Sequence, residues 1–273
     1  MNFEDIIYEK ANRVAVITLN RPARLNAWTP RMESELRKAI LDSDRDDKIG
    51  AIVLTGAGKA YCAGADMSTL NNVAEGTVSA VQAVSGEVGG TSETRADFRQ
   101  RFSWLAGLRK PVIGAINGAC VGMGFTTALY QDIRIASERA RMGLIFVRRG
   151  LAIEHGASWM LPRIVGLANA LELAISGRLI TAEEALRIGL VNRVVPHELL
   201  MPTALEIAGE IATSCSPLGI SHVKRLIYHH LLTDLKTAVA EENESIATMT
   251  GSADFKEGIR AFQEKRAPHF VGR

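Results

Sequence analysis

Two glycine-rich segments each follow an apolar run, and together they could stabilise a negative charge. Residues 51–55 lead to Gly64 and Ala65, and residues 112–116 lead to Gly122 and Met123. Each segment predicts a strand that runs into a helix, so each can direct an unpaired backbone N–H group at one point. Two such donors suit the oxyanion that develops on the carbonyl of an acyl substrate, where loss of one donor typically costs about 3 kcal/mol.

Other chemistry fits these residues less well. Gly56-Ala57-Gly58-Lys59 resembles a phosphate loop, but that motif needs a longer glycine spacing and a Ser or Thr after the lysine, where this chain has Ala60. Asp66 follows the first glycine turn, where we expect it to cap the next helix rather than act as an acid. His229 and His230 show no third ligand nearby in the sequence, and the three cysteines have no metal-ligand spacing, so we predict no metal site.

The elements that must position these turns alternate along the chain. Short apolar runs predict strands, whereas 3.6-residue spacing between them predicts helices over residues 30–43 and 123–130. This alternation favours an α/β core. After residue 199 the strand signals stop, and four amphipathic helices are predicted. The strands are predicted at 6–8, 14–19, 51–55, 112–116 and 133–136, and the last four helices at 201–213, 217–232, 235–250 and 254–264.

Composition excludes several classes of protein. The chain has 273 residues, 47% of them hydrophobic, and a net charge of only +2 with scattered Lys and Arg. We therefore expect no nucleic-acid partner and no membrane-surface helix. The N-terminus carries acids and lacks the pattern of a signal peptide, and no apolar run approaches the ~20 residues that span a bilayer. These features predict a soluble protein of the reducing cytoplasm with no membrane partner.

At this point the chain resembles the crotonase family, also called the enoyl-CoA hydratase/isomerase family, over nearly its whole length. The individual pieces are short, but their order and spacing are specific. They are Leu19-Asn20-Arg21-Pro22 with Leu25-Asn26-Ala27, Gly64-Ala65-Asp66, Lys110-Pro111-Val112, Asn117-Gly118, Asp132-Ile133, Ser176-Gly177-Arg178, Ala185, Gly189-Leu190-Val191 and Glu264-Lys265-Arg266.

The resemblance implies a fold and an assembly. We expect an α/β spiral of strand-strand-helix repeats over residues 1–198, which would bind acyl-CoA and carry the catalytic site. Residues 199–273 would form a C-terminal helical region that builds homotrimers, commonly paired into hexamers. The small-residue stretch 71–94 lies where the acyl pocket of the family varies most, and its composition predicts a mobile loop with partial helix.

The resemblance also implies a site. The oxyanion donors would be the N–H groups of Ala65 and Met123, which follow Gly64 and Gly122. Coenzyme A would lie along the backbone of Arg24, Leu25, Ala27 and Ala63, next to Asp66, and meet Phe262 and Lys265 from the C-terminal helix, with the cation facing the 3′-phosphate. Because enolate stabilisation needs only backbone donors, we expect no cofactor besides the coenzyme A thioester substrate.

The acid-base residues decide the reaction. The two glutamates of family hydratases would fall at Thr126 and Phe146, so that pair is missing. Glu154 matches the acid of family isomerases that convert 3-enoyl-CoA to 2-enoyl-CoA, where one base suffices. We expect Phe146 and Trp159 to bury Glu154 and raise its pKa, and His155 to have a surface or packing role.

Three alternatives remain open at the level of sequence. The first is an enoyl-CoA hydratase that uses Glu154 with an unidentified second acid. The second is a thioester or beta-diketone hydrolase. The third is a non-catalytic acyl-CoA-binding protein, which the residues at 126 and 146 also permit.

Overall fold

The computed structural model describes residues 2–77 and 95–273. Its larger sheet has six strands, and the apolar residues of its central parallel strands are buried on both faces, as expected of parallel strands. The first two strands pair antiparallel and the others pair parallel. In spatial order the strands are β1 (Ile6–Ala11), β2 (Val14–Leu19), β3 (Ala51–Gly56), β5 (Val112–Ile116), β7 (Ile133–Ser137) and β10 (Arg193–Val195).

A second sheet of four short strands lies beside the first. Three of its strands are parallel, and the last pairs antiparallel. In spatial order they are β4 (Ala60–Cys62), β6 (Ala119–Val121), β8 (Arg141–Gly143) and β9 (Ile180–Thr181). The chain therefore alternates between the sheets: β3 is followed by β4, β5 by β6 and β7 by β8. This alternation is the spiral of strand-strand-helix turns that the resemblance predicts.

Ten α-helices occur in the described residues. The long helix Pro30–Arg45 begins at a sequence-encoded cap: Thr29 accepts a hydrogen bond from the Met32 N–H, and Pro30 takes the first helical position, where its missing N–H costs nothing. The helices are Pro30–Arg45, Met67–Ala74, Met123–Leu129, Ala157–Val165, Leu167–Ser176, Ala182–Arg187, Leu200–Ser214, Pro217–His230, Leu235–Thr250 and Ala253–Glu264. No helix in residues 2–77 or 95–273 is long and apolar enough to cross a membrane.

The helix Leu200–Ser214 packs on the larger sheet through a stripe of small residues. Ala204, Ala208 and Ala212 recur every four residues and are buried against β3 and β5. The next helix is held by Lys224, whose Nζ lies 2.7 Å from Asp132 Oδ2 at the start of β7. Asp132 also accepts hydrogen bonds from the Val112 N–H and the Tyr228 hydroxyl, which ties the C-terminal helices to the sheet.

The strands and helices predicted from periodicity are confirmed, with ends shifted by three residues at most. The prediction for residues 71–94 falls mostly outside the described part of the chain. Within it, Met67–Ala74 is helical and a turn follows to Thr77.

Candidate active site

The first glycine turn follows the short strand β4. Gly64 has a φ of +99°, a conformation that L-residues rarely adopt, and the backbone then passes through Ala65 into the helix Met67–Ala74. A parallel bridge joins Ala65 to Trp28. The Trp28 N–H donates to the Gly64 carbonyl at 2.7 Å, and the Asp66 N–H donates to the Trp28 carbonyl at 3.0 Å, so both neighbours of Ala65 are fixed.

The second glycine turn follows the short strand β6. Gly122 has φ 55° and ψ −118°, the dihedrals of the glycine position in a type II′ turn, and Met123 is the first residue of the following helix. The N–H groups of the first helical turn have no partner within the helix. Gly124 allows this turn to pack closely against β4, because a Cβ at Gly124 would lie only 2.6 Å from the Cys62 Cβ.

The two turns meet because their strands are parallel neighbours. Cys62 pairs with Cys120 in the small sheet, so β4 and β6 end at the same edge. A Cβ at Gly122 would lie 3.7 Å from the Gly64 Cα, which shows how closely the two backbones approach. Among the described residues, the N–H groups of Ala65 and Met123 donate no hydrogen bond. The structure thus brings two free backbone donors together at one edge.

Asn26 holds the loop that runs beside the first turn. Its side-chain nitrogen donates to the carbonyls of Ala57 and Ala60, its oxygen accepts from the Arg21 N–H, and it is fully buried. The Ala63 N–H donates to the Leu25 carbonyl. The predicted coenzyme A residues at positions 24, 25, 27 and 63 therefore lie together, and the side chains of Arg24 and Leu25 are exposed.

Asp66 caps the helix that follows the first turn, as expected. Its Oδ1 accepts from the Ser68 N–H at 3.0 Å, and its Oδ2 lies 2.9 Å from Arg21 Nη1. Although burial raises the pKa of Asp66, the hydrogen bonds from Ser68 and the guanidinium of Arg21 outweigh it and hold the pKa below its usual value. A carboxylate held ionised in this way is a poor proton donor.

Glu154 lies in the turn between Gly150 and the helix Ala157–Val165. Its side chain is 22% exposed, so the expected burial is incomplete. The His155 ring is 4% exposed and packs edge-on against Phe102, in line with a packing role, and its Nε2 also lies 3.2 Å from Glu154 Oε1. The backbone explains the contact: His155 has φ 55°, and this left-handed conformation turns the ring back toward its neighbour.

A chain of contacts links Glu154 to the first glycine turn. His155 Nε2 lies 3.5 Å from Arg101 Nη1, and Arg101 forms a fork with both carboxylate oxygens of Glu33. Glu33 also accepts from the Trp28 indole N–H at 2.9 Å. Trp28 is the residue bridged to Ala65, so Glu154 and the backbone of Ala65 are joined by one partly buried polar network.

Aromatic rings support the same network. The Phe102 ring lies edge-on to Trp28 and to His155, with centroid separations of 5.2 Å in both pairs. Such edge-to-face pairs add about 0.5–1.5 kcal/mol each beyond the area they bury. Phe102 therefore fixes the ring that touches Glu154 relative to the tryptophan that flanks Ala65.

A mainly apolar cleft of about 620 Å³ opens beside this turn. His155 and Gly156 form one edge, and Tyr130, at the C-terminal end of the helix that begins at Met123, forms another. Trp159 contributes its ring, which Arg163 covers on one side at 3.9 Å. The remaining lining residues are Asp97, Phe98, Gln100, Arg101, Ser103 and Leu232.

The two positions at which the resemblance predicts the hydratase glutamates are buried and carry no carboxylate. Thr126 is fully buried in the helix Met123–Leu129, and its hydroxyl has no hydrogen-bond partner among the described residues. Phe146 is 7% exposed and packs in the main core. Neither side chain can take a proton from water or return one.

The structure does not bring Phe262 and Lys265 to this region. Phe262 lies on the last helix with 85% of its surface exposed, and Lys265 ends that helix in a left-handed conformation. Neither residue lines the cleft. Their predicted role requires another subunit, as the resemblance implies.

Sequence reasoning missed one cluster outside this site. The prediction that His229 and His230 lack a third ligand is wrong, because Glu241 of the next helix lies beside both rings. Glu241 is eleven positions after His230 in the sequence, beyond the spacing of a local motif, so the helical hairpin alone creates the cluster.

Similarity to known proteins extends over the whole chain. Residues 9–273 match the family model described as enoyl-CoA hydratase/isomerase. The chain belongs to the enoyl-CoA hydratase/isomerase family. It is 36% identical over 270 residues to the 1,2-epoxyphenylacetyl-CoA isomerase of Escherichia coli (strain K12), covering 99% of each chain. It is 37% identical over 267 residues to the short-chain-enoyl-CoA hydratase of Clostridium acetobutylicum, covering 97% of each.

Solved structures show the same fold. The enoyl-CoA hydratase of Bacillus anthracis superimposes with a TM-score of 0.87 at 33% identity, covering 99% of this chain and 100% of that one. The crotonase fold predicted from the motifs is confirmed, and the chain is an enzyme of this family.

Proposed function

We propose that this family member isomerises enoyl-CoA thioesters, moving a double bond from the 3 to the 2 position. The observation that carries the proposal is the distribution of carboxylates: Glu154 stands at the turn beside the cleft, whereas the hydratase positions hold buried Thr126 and Phe146. The E. coli relative named an isomerase is consistent with this choice.

In the proposed mechanism the N–H groups of Ala65 and Met123 donate to the thioester oxygen. Glu154 removes a proton from C2. The electrons of that C–H bond form a C1–C2 double bond, and the carbonyl π electrons move onto the thioester oxygen, which gives a dienolate that still holds the C3–C4 double bond. The two donors stabilise that charge as it develops. The same carboxyl then returns the proton to C4, so the atoms balance and neither water nor a redox partner is consumed.

His155 is proposed to position the Glu154 carboxylate. The Nε2–H tautomer donates toward Glu154 at 3.2 Å, whereas the Nδ1–H tautomer accepts from Arg101 at 3.5 Å. Arg101 is already committed to Glu33, and its contact with the ring is the longer one. The Nε2–H tautomer is therefore favoured, and it orients the carboxylate.

The decisive variant is Glu154→Gln, which keeps the size of the side chain and removes its basicity. We expect turnover of 3-enoyl-CoA to fall by about 10²–10⁴-fold, the range that general base catalysis typically contributes. Binding of a saturated acyl-CoA, measured by calorimetry, should change less than threefold. Unchanged turnover would remove Glu154 from the mechanism.

Hydration of 2-enoyl-CoA is the second candidate. The C. acetobutylicum relative is named a hydratase, and this observation favours it. It requires a group that activates water opposite Glu154, and the side chains at positions 126 and 146 cannot do so. Retained hydration in a Glu154→Gln variant would point to a different acid.

We also propose that the chain forms trimers or pairs of trimers. Large apolar side chains stand exposed on the last two helices, including Leu235 (80%), Ile246 (60%) and Phe262 (85%). Burying them in a subunit interface offsets the cost of their exposure. Sedimentation should give a mass of three or six chains, and a monomer would contradict the proposal.

A further inference from the structure

The last turn of the helix Pro217–His230 places two imidazoles beside one carboxylate. His229 Nδ1 lies 2.7 Å from Glu241 Oε2, and His230 Nε2 lies 3.4 Å from the same oxygen. The three ligand atoms all lie within 4.8 Å of one another. Glu241 belongs to the helix Leu235–Thr250, so the cluster joins two consecutive helices.

Two of these atoms lack the partners that buried polar groups normally have. His230 Nε2 and Glu241 Oε2 are shielded from solvent and make no hydrogen bond with any residue in the described part of the chain. Buried polar atoms without a partner are unfavourable. A cation bound to both atoms removes that cost.

The donor set suits one group of cations. Imidazole nitrogen with one carboxylate oxygen is the ligand chemistry of zinc and related divalent transition metals, and three protein ligands plus water complete a tetrahedral site. Bonds of about 2.0–2.2 Å in a tetrahedron place neighbouring ligand atoms about 3.3–3.6 Å apart. The separation of 3.4 Å between His230 and Glu241 fits, and the pair at 2.7 Å opens by rotation of the carboxylate.

The site is also accessible to an ion. The three side chains are 22%, 15% and 24% exposed, so they lie just below the surface, with the two ligand atoms His230 Nε2 and Glu241 Oε2 on their shielded side. Glu242 adds a further carboxylate 3.9 Å from His230 Nδ1, which favours positive charge at this end of the hairpin.

We propose that His229, His230 and Glu241 bind one divalent transition-metal ion, with zinc as the best fit. The ion ties the helix Pro217–His230 to the helix Leu235–Thr250 across the turn at residues 231–234. Leu232 of that turn lines the cleft beside Glu154, so the ion fixes part of the cleft wall without touching the proposed chemistry.

The test is zinc titration of the chelator-treated full-length protein by calorimetry. We expect one zinc per chain, and at least tenfold weaker binding in Glu241→Gln and in His230→Asn. Glu244→Gln, on the exposed side of the same helix, and His269→Asn, an exposed histidine elsewhere, are matched controls that should bind like the unaltered protein. Cobalt in place of zinc should give the strong visible absorption of a tetrahedral site.

Thermal melting gives an independent readout. Because a ligand that binds only the folded state stabilises it, zinc should raise the Tm of the unaltered protein and of both controls, but not that of Glu241→Gln. Absence of stoichiometric zinc binding, or equal affinity in the Glu241→Gln and His230→Asn variants, would overturn the proposal and leave the cluster as a histidine–glutamate ion pair.

Discussion

Substitution of Gly122 by alanine tests the backbone donors without changing any side chain of the proposed site. Space is not the obstacle, since the nearest atom to an added Cβ is the Gly64 Cα at 3.7 Å. The obstacle is the conformation, φ 55° and ψ −118°, which costs an L-residue about 1–3 kcal/mol. The turn relieves that strain by rotating, and rotation moves the N–H of Met123, the next residue.

The expected effect on catalysis follows from the loss of one oxyanion donor. Such a loss is worth about 2.7–4 kcal/mol, so kcat for 3-enoyl-CoA should fall about 10²–10³-fold. The free energy of unfolding in urea should fall by only the strain, about 1–3 kcal/mol. Binding of a saturated acyl-CoA should change little, because the donors act mainly on the charged transition state.

Gly209→Ala is the matched control. Gly209 lies within the helix Leu200–Ser214, and an added Cβ there meets no atom within 4 Å. Alanine should therefore stabilise the protein by about 0.5–1 kcal/mol and leave kcat unchanged. A Gly122→Ala variant that stays folded with kcat within threefold of the unaltered enzyme would refute the assignment of Met123 as a donor.

Two further variants test neighbouring contacts. His155→Asn keeps a residue that tolerates positive φ but withdraws the imidazole from Glu154, so kcat should fall about tenfold as the carboxylate loses its orientation, with little change in KM. An unchanged kcat argues for packing alone. Asp66→Asn retains the helix cap and loses the pair with Arg21, lowering stability by about 1 kcal/mol at pH 7. Because the folded pKa of Asp66 lies below its usual value of 3.8, the loss of stability in this variant is full above pH 3.8 and disappears as pH falls through the folded pKa. Urea unfolding of both proteins from pH 7 to pH 3 measures this loss. A loss that does not depend on pH would contradict the prediction.

The larger sheet could be predicted because its strands are long enough to show a pattern. Strands of five or six apolar residues such as β3 and β5 stand out from the helical spacing around them. The small sheet could not be predicted from periodicity, since β4 and β6 have three residues each. Yet these short strands bring the two glycine turns together. The glycines of these turns are visible in the sequence, but only the family resemblance predicts that the two turns lie together.

The surroundings of Glu154 show a different limit. The turn was identified from its motif, but the contact with His155 depends on a left-handed backbone at a non-glycine residue, which residue type does not reveal. The pairing of Arg101 with Glu33 joins positions 68 residues apart. Such a pair forms only when the fold brings distant segments together, so the sequence alone assigns no role to either residue.

The most direct test of the account is mass spectrometry of products formed from 3-enoyl-CoA and 2-enoyl-CoA thioesters in deuterated water. The proposed mechanism predicts that the double bond moves and that no water is added, and deuterium enters the acyl chain wherever the part-exposed Glu154 carboxyl exchanges its proton with solvent before returning it. Addition of water to the 2-enoyl substrate would show a hydratase, and substrates that all keep both their mass and the position of their double bond would contradict enoyl-CoA chemistry at this site.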